Sequence, residues 1–388
     1  MGAQFGFGML WTMLFSFPLM VCVQLICARI GRVTGEGISG NLRRHYSARV
    51  LFPIVVLLLV ANTINIAADL GAMGSALQLL VGGPAIAYTM FFAIVSLVLQ
   101  VFVPYHRYVF VLKWLSMALL AYVAAAFSVT IPWREVAMRT FIPELSFKSE
   151  YITAVVAIFG TTISPYLFFW QASQEVEDQE AAPNEEPLIS APMQARAQFA
   201  RISVDTYIGM GASNVVAFFI ILTTAVTLHS HGVSNIATAA QAATALRPIA
   251  GKFAFSLFSL GIIGTGLLAV PVLAGSAAYG VAEAMRWRFG MERNLAQATK
   301  FYAIIAAAVL IGLTMNFIGV DPIQALFWTA VINGVVAVPL LVVIMLMASR
   351  RRVMRQFVIP GYLKWGGWVT VVFMTASALA MFALWPHR

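Results

Sequence analysis

Two groups of residues in this 388-residue chain could do chemistry, and both lie inside apolar stretches. The first is Phe159-Gly160-Thr161-Thr162-Ile163-Ser164-Pro165-Tyr166, which interrupts the apolar run from Tyr151 to Trp170. Gly160 weakens a helix, and Pro165 lacks an N–H and clashes with the preceding turn. Thr161, Thr162 and Ser164 supply hydroxyls where the freed carbonyls need partners. Hydrocarbon cannot satisfy exposed backbone, so such a break survives only against protein or a water-filled cavity. Two readings follow. One is a proline kink without a ligand. The other is a broken helix whose open backbone receives a substrate near the middle of a membrane.

The second group is Asn62, Asn65 and Asp69, at i, i+3 and i+7 on one helical face. Each is costly in hydrocarbon, and a carboxylate with two amides should face the interior of a bundle. Asp69 is read as functional, carrying protons or attracting a cation. Asn62 is read as interhelical glue. Asn214 and Asn333 are weaker candidates of the same kind. His229 and His231 form an outer-loop pair without a third ligand, a poor basis for a metal site. No Gly-rich loop with Lys, Cys/His zinc cluster or Ser-His-Asp set is visible, so no enzyme chemistry is expected.

The elements that must hold these residues are membrane spans. The chain is 61% hydrophobic and 10% charged, with mean hydropathy +0.87. Spans of ~20 apolar residues recur throughout. Ten are predicted: 8–28, 50–70, 83–103, 109–131, 151–173, 203–228, 253–284, 300–318, 323–348 and 365–385. They make residues 1–388 one polytopic transmembrane domain of all-α class. The loops after odd-numbered spans hold 18 of the 24 Lys and Arg, which places them in the cytoplasm. That asymmetry accounts for the net charge of +9 and gives no case for nucleic acid. The polar segment 174–201 carries six acids and three prolines and reads as a flexible, solvated cytoplasmic loop. Its acids could also draw cations toward an inner gate. Span seven, rich in Gly and Ala between Gly261 and Ala278, is expected to pack closely on a neighbour. Cys22 and Cys27 lie on different faces of one helix and read as packing residues. The N-terminus lacks the positive charge of a signal peptide.

Several segments, in order, resemble the natural resistance-associated macrophage protein (Nramp) family of divalent metal transporters. Gly6-Phe7-Gly8-Met9-Leu10-Trp11 with Ala28-Arg29-Ile30-Gly31-Arg32-Val33-Thr34-Gly35 resembles that family's second helix and exit loop. Asn62 to Leu80 resembles the third helix, and Gly160 to Tyr166 the broken sixth. Asp205 and Asn214 resemble the seventh, and Leu246 to Gly251 with Leu260 to Ile263 the entry to the eighth.

The resemblance implies a LeuT-like inverted-repeat bundle, in which the ten spans are family helices two to eleven. It implies alternating-access transport of divalent cations (manganese, magnesium or iron type) across the cell membrane, plasma or inner. Lipid surrounds the protein, protons are candidate co-ions, the metal is cargo, and no resident cofactor is called for. The ion ligands implied are the backbone carbonyls of Thr161 and Thr162 and the side chains of Ser164 and Asn333. Asp69, Asn65, Tyr166 and Gln171 fall on the proton or cation pathway.

Two departures from the family pattern stand out. Ser164-Pro165-Tyr166 replaces the usual Met-Pro-His, and Gln171 occupies a further histidine position. A thioether favours transition metals, whereas a serine offers a hard oxygen. Neither Tyr166 nor Gln171 titrates near neutral pH. This resembles the Nramp-related branch associated with magnesium. Moreover, Met1-Gly2-Ala3 begins where the family's first helix should end. A misassigned start is the expectation, with in-frame upstream codons for an apolar helix containing Asp and Pro. The alternatives are an amino-acid or amine symporter of the same architecture and a degenerate, non-transporting membrane protein.

Overall fold

The computed structural model describes residues 1–103, 107, 110, 114, 117–236, 238–247, 251–319 and 321–385, the side chain of Lys252 excepted. The predicted span 109–131 therefore lies partly outside the described residues, as do Lys113 and Arg388. Its described end is a short apolar helix, Met117–Ser128. Among the described residues, nine helical stretches are long and apolar enough to cross a membrane.

The main helices are α1 (Leu10–Thr34), α2 (Ile38–His45), α3 (Ala48–Val81), α4 (Ala85–Phe102), α5 (Leu120–Ser128) and α6 (Trp133–Phe141). There follow α7 (Ser149–Thr162), α8 (Pro165–Ala181), α9 (Ala195–Thr227), α10 (Ala254–Met285) and α11 (Thr299–Met315). The chain ends with α12 (Pro322–Ala348), the short α13 (Arg351–Met354) and α14 (Gly361–Ala383).

Helix α3 runs beyond the expected span 50–70. Asp69 ends the apolar window but not the helix. The stop is Gly82-Gly83-Pro84, where two glycines hold φ of 72° and 82° and proline cannot continue the ladder. Helix α1 ends on Gly35 at φ 66°, whose N–H returns to the Gly31 carbonyl.

The expected solvated loop 174–201 is largely helical and docked. α8 continues to Ala181 and α9 begins at Ala195. Between them the Leu188 and Ile189 N–H groups donate to the Arg32 and Val33 carbonyls at 3.2 Å each, and Leu188 is buried. Bound to the end of α1, this segment is a strap rather than a free tether.

Two apolar clusters build the core. One joins α1, α7, α12 and α14, and the other joins α3, α10 and α11. The chain crosses between them at the break: Ile163 belongs to the first, and Tyr166 packs on the second. Close helix approach is set by small residues. Gly266 of α10 faces Met73 of α3, and Gly280 faces Leu58, as the Gly/Ala content of span seven led one to expect. Gly160 of α7 lies on the Ala330 carbonyl and Gly334 of α12, leaving no room for a Cβ.

Of the loops predicted to share the cytoplasmic side, those after spans one, five, seven and nine meet at one end. Arg32 pairs with Glu185, Arg43 donates to the Glu283 carbonyl, and the Arg350 guanidinium lies 5.1 Å from the Tyr46 ring centre. At the opposite end His229 Nδ1 lies 2.8 Å from the Ala3 carbonyl oxygen.

Candidate ion site at the helix break

The break is present where residue types place it. Ile163 leaves the helix at φ −116°, ψ 63°. Ser164 is extended at φ −86°, ψ 140°, and Pro165 opens α8 at its first position. Pro165 has no N–H to give the Thr161 carbonyl, and the turn takes the Thr162 carbonyl out of the ladder. The Ser164 hydroxyl lies 2.5 Å from the Gly160 carbonyl and 2.9 Å from that of Thr161, so its single proton is shared between them. The threonine hydroxyls act differently from expectation. Thr161 and Thr162 donate backward to Ala157 at 3.0 Å and Ile158 at 3.1 Å, within α7. Of the three hydroxyls, only that of Ser164 serves the opened turn.

Helix α12 lies alongside. Its Asn333 forms a reciprocal amide pair with Asn65 of α3, at 3.0 and 3.1 Å. Asn65 also donates to the Ala61 carbonyl at 2.8 Å. Gly334, next to Asn333, sits against Val156 and Gly160 of α7. Two of the predicted site residues are thus bonded to each other one residue from the close approach to the broken helix.

Tyr166 connects the break to α10 and α3. Its carbonyl accepts the Ser276 hydroxyl at 2.8 Å. Its phenol interacts with Ser164 and lies within electrostatic reach of the Asp69 carboxylate. Asp69 is half-buried, and among the described residues it has neither ion pair nor hydrogen bond. Gln171 does not join the group: no hydrogen bond ties it to the break among the described residues. Its distance along α8 from Tyr166 turns it about 140° around the helix.

Other polar residues are glue. Asn62 donates to the Leu273 carbonyl at 2.9 Å, and Asn214 to that of Met13 at 2.6 Å. His229 is held against Ala3 and Gly6. Among the described residues there is no group of three or more His, Cys, Asp or Glu arranged to hold a metal. The donors at the break are therefore carbonyls, a hydroxyl, two amides and a single carboxylate, all hard oxygens on the acceptor side.

Sequence reasoning missed the buried acids at the end of the bundle where the arginine-rich loops meet. Glu283 accepts the Gly40 N–H and the Ser173 hydroxyl, both at 3.0 Å. Glu175 accepts Arg201 at 2.5 Å, and Glu177 accepts the Tyr279 hydroxyl at 2.6 Å. Glu175 and Glu177, two of the six acids of segment 174–201, are thus held by partners. Phe169, Ala172 and Val176, at helical spacing, were the available signal that α8 continues past the apolar window.

The chain is similar to known proteins over nearly its whole length. A family model for natural resistance-associated macrophage protein-like (Nramp) proteins matches residues 1–384. A divalent metal cation transporter, MntH, of Acidiphilium cryptum is 24% identical over 362 residues, 90% of this chain and 77% of that protein. Among solved structures, an Eremococcus coleocola manganese transporter superimposes with a TM-score of 0.72 at 17% identity, over 97% of this chain and 80% of that one. Mhp1, a nucleobase-cation-symport-1 family transporter, superimposes with a TM-score of 0.54 at 16% identity, over 99% of this chain and 90% of that one. The fold is the LeuT-like helical bundle these transporters share. The chain is a multi-pass membrane protein that belongs to the Nramp family.

Proposed function

We propose that this protein moves divalent metal cations across the membrane by alternating access, with the α7–α8 break as the mid-membrane stop. One observation carries this reading: an opened backbone turn capped by Ser164, next to an Asn65–Asn333 pair, with Asp69, which has no ion pair or hydrogen bond among the described residues, within electrostatic reach of Tyr166. Family membership and the metal transport named for the MntH relative and the manganese transporter support it.

In this reading the cation binds the Thr161 and Thr162 carbonyls and Ser164 Oγ. Asn333 adds its amide oxygen when the pair with Asn65 opens. Asp69 draws the cation toward the break or carries a proton past it, with Tyr166 between Asp69 and Ser164. Gln171 lies further along α8, on the cytoplasmic route. Hard oxygens give weak discrimination between manganese and magnesium. The proton dependence is shallow, because Tyr166 and Gln171 offer no imidazole.

The test is manganese entry into proteoliposomes, read by quenching of an enclosed metal-sensitive dye. Wild-type protein should quench and Asp69→Asn should slow it strongly. Wild-type vesicles that exclude manganese and magnesium yet accumulate an amino acid would overturn the reading.

A further inference from the structure

The cytoplasmic end carries a second charged locus that transport does not use. The end of α2 and the short α13 bring Arg350 over Tyr46 and Arg44, Arg352 and Arg355 within electrostatic reach of the adjacent His45. Arg350 stacks over the Tyr46 ring at 5.1 Å. Arg44, Arg352 and Arg355 all bear on His45; burial first, then Arg44 and Arg352, push its pKa below the ordinary imidazole value. All four arginines are exposed. The carboxylate facing them is Glu36, 3.2 Å from Arg44. Within the locus the Tyr46 hydroxyl, His45 Nδ1 and Ser349 hydroxyl are buried without a hydrogen-bond partner among the described residues. Arg355 holds φ 51°, a conformation that ordinary residues rarely adopt, where the chain leaves α13. Four guanidinia against one carboxylate make a site short of negative charge.

Its depth identifies the missing partner. α13 lies between the ends of two membrane-spanning helices, α12 and α14. The first two turns of α14 expose Tyr362 (60%) and Trp365 (76%), aromatic residues of the kind that sit at the headgroup level. This position next to the span ends and the exposed aromatic residues matches the headgroup level on the positively charged side. Arginine forks match phosphate oxygens in pairs, and juxtamembrane basic clusters attract anionic lipid.

We propose that Arg350, Arg352, Arg355 and Arg44 form a binding site for the phosphate headgroup of an anionic phospholipid of the cytoplasmic leaflet. The bound lipid would tie α2 to the α12–α14 turn.

The experiment uses the whole protein in neutral detergent. Its melting temperature is followed during titration with phosphatidylglycerol, phosphatidylcholine, glycerol phosphate or inorganic phosphate. Phosphatidylglycerol should raise the melting temperature, while the other three leave it unchanged at the same concentration. In R352Q/R355Q the half-saturating phosphatidylglycerol concentration should rise roughly tenfold or more. R352K/R355K, which keeps the charge but loses the paired donors, should fall between wild type and R352Q/R355Q; a response no better than that of R352Q/R355Q would count against a role for charge. Equal phosphatidylglycerol responses in wild type and R352Q/R355Q would overturn the site. Stabilisation by inorganic or glycerol phosphate as large as that by the lipid would overturn the lipid assignment. If R352Q/R355Q does not fold, R352Q alone replaces it and should show a shift in the same direction; no shift overturns the proposal.

Discussion

Asn65 and Asn333 satisfy each other across 268 residues of sequence. Asn333 is buried, so truncating it strands a polar group in the bundle. Asn333→Ala should cost about 1–3 kcal/mol of stability in a detergent melt. Asn65→Ala with Asn333→Ala should cost less than the sum of the single changes, because no orphan amide remains. At this scale the sequence revealed residue types but not pairings. Ser164 was legible because it precedes Pro165 in an apolar run. The Asn65–Asn333 bond was not, since nothing local to either residue points to the other. The threonine hydroxyls were misread for a related reason. A hydroxyl one turn above a break has its own helix carbonyl within reach, and that local partner wins.

At the scale of elements, the broken helix depends on close packing of α7 on α12. Gly334→Val would drive a side chain into the Val156 carbonyl. It should abolish recovery of folded protein by size exclusion, whereas Gly361→Ala, with open space around it, should not. The strap between α8 and α9 makes a second prediction. Burial would raise the Glu185 carboxyl, but hydrogen bonds from Arg32 and Gln198 outweigh it and hold the carboxyl below its usual value. A depressed folded value stabilises above the unfolded value of ~4.3 and is lost as pH falls through the lower folded one. The Glu185 contribution to protection of the strap from protease should be lost as pH falls below about 4. Glu185→Gln should remove that acid step. The strap was not legible as structure because its composition, acidic and rich in proline, matches that of a solvated linker. What orders it is a backbone ladder to Arg32 and Val33, which no composition encodes.

The whole molecule was the most legible level. Apolar spans, their order and the charge asymmetry follow from the cost of polar groups in lipid, a constraint that acts on every residue at once. Helix ends were less so, because Gly82-Gly83-Pro84, not the polar residue that closes the apolar window, stops α3. Orientation is open to direct test. Cysteines at the exposed positions Asn184 and Arg351 should react with an impermeant thiol reagent only from the cytoplasmic face, and one at Ser230 only from outside. Asn184 and Ser230 labelling from one side would contradict the topology. The measurement that bears most directly on the central claim is ion competition in proteoliposomes. If a hard-oxygen break carries the cation, about tenfold excess magnesium should strongly suppress manganese uptake, acidification should stimulate it only weakly, and Ser164→Met should restore preference for manganese and cadmium. Manganese uptake untouched by that excess, steeply driven by acid and unchanged by Ser164→Met, would contradict it.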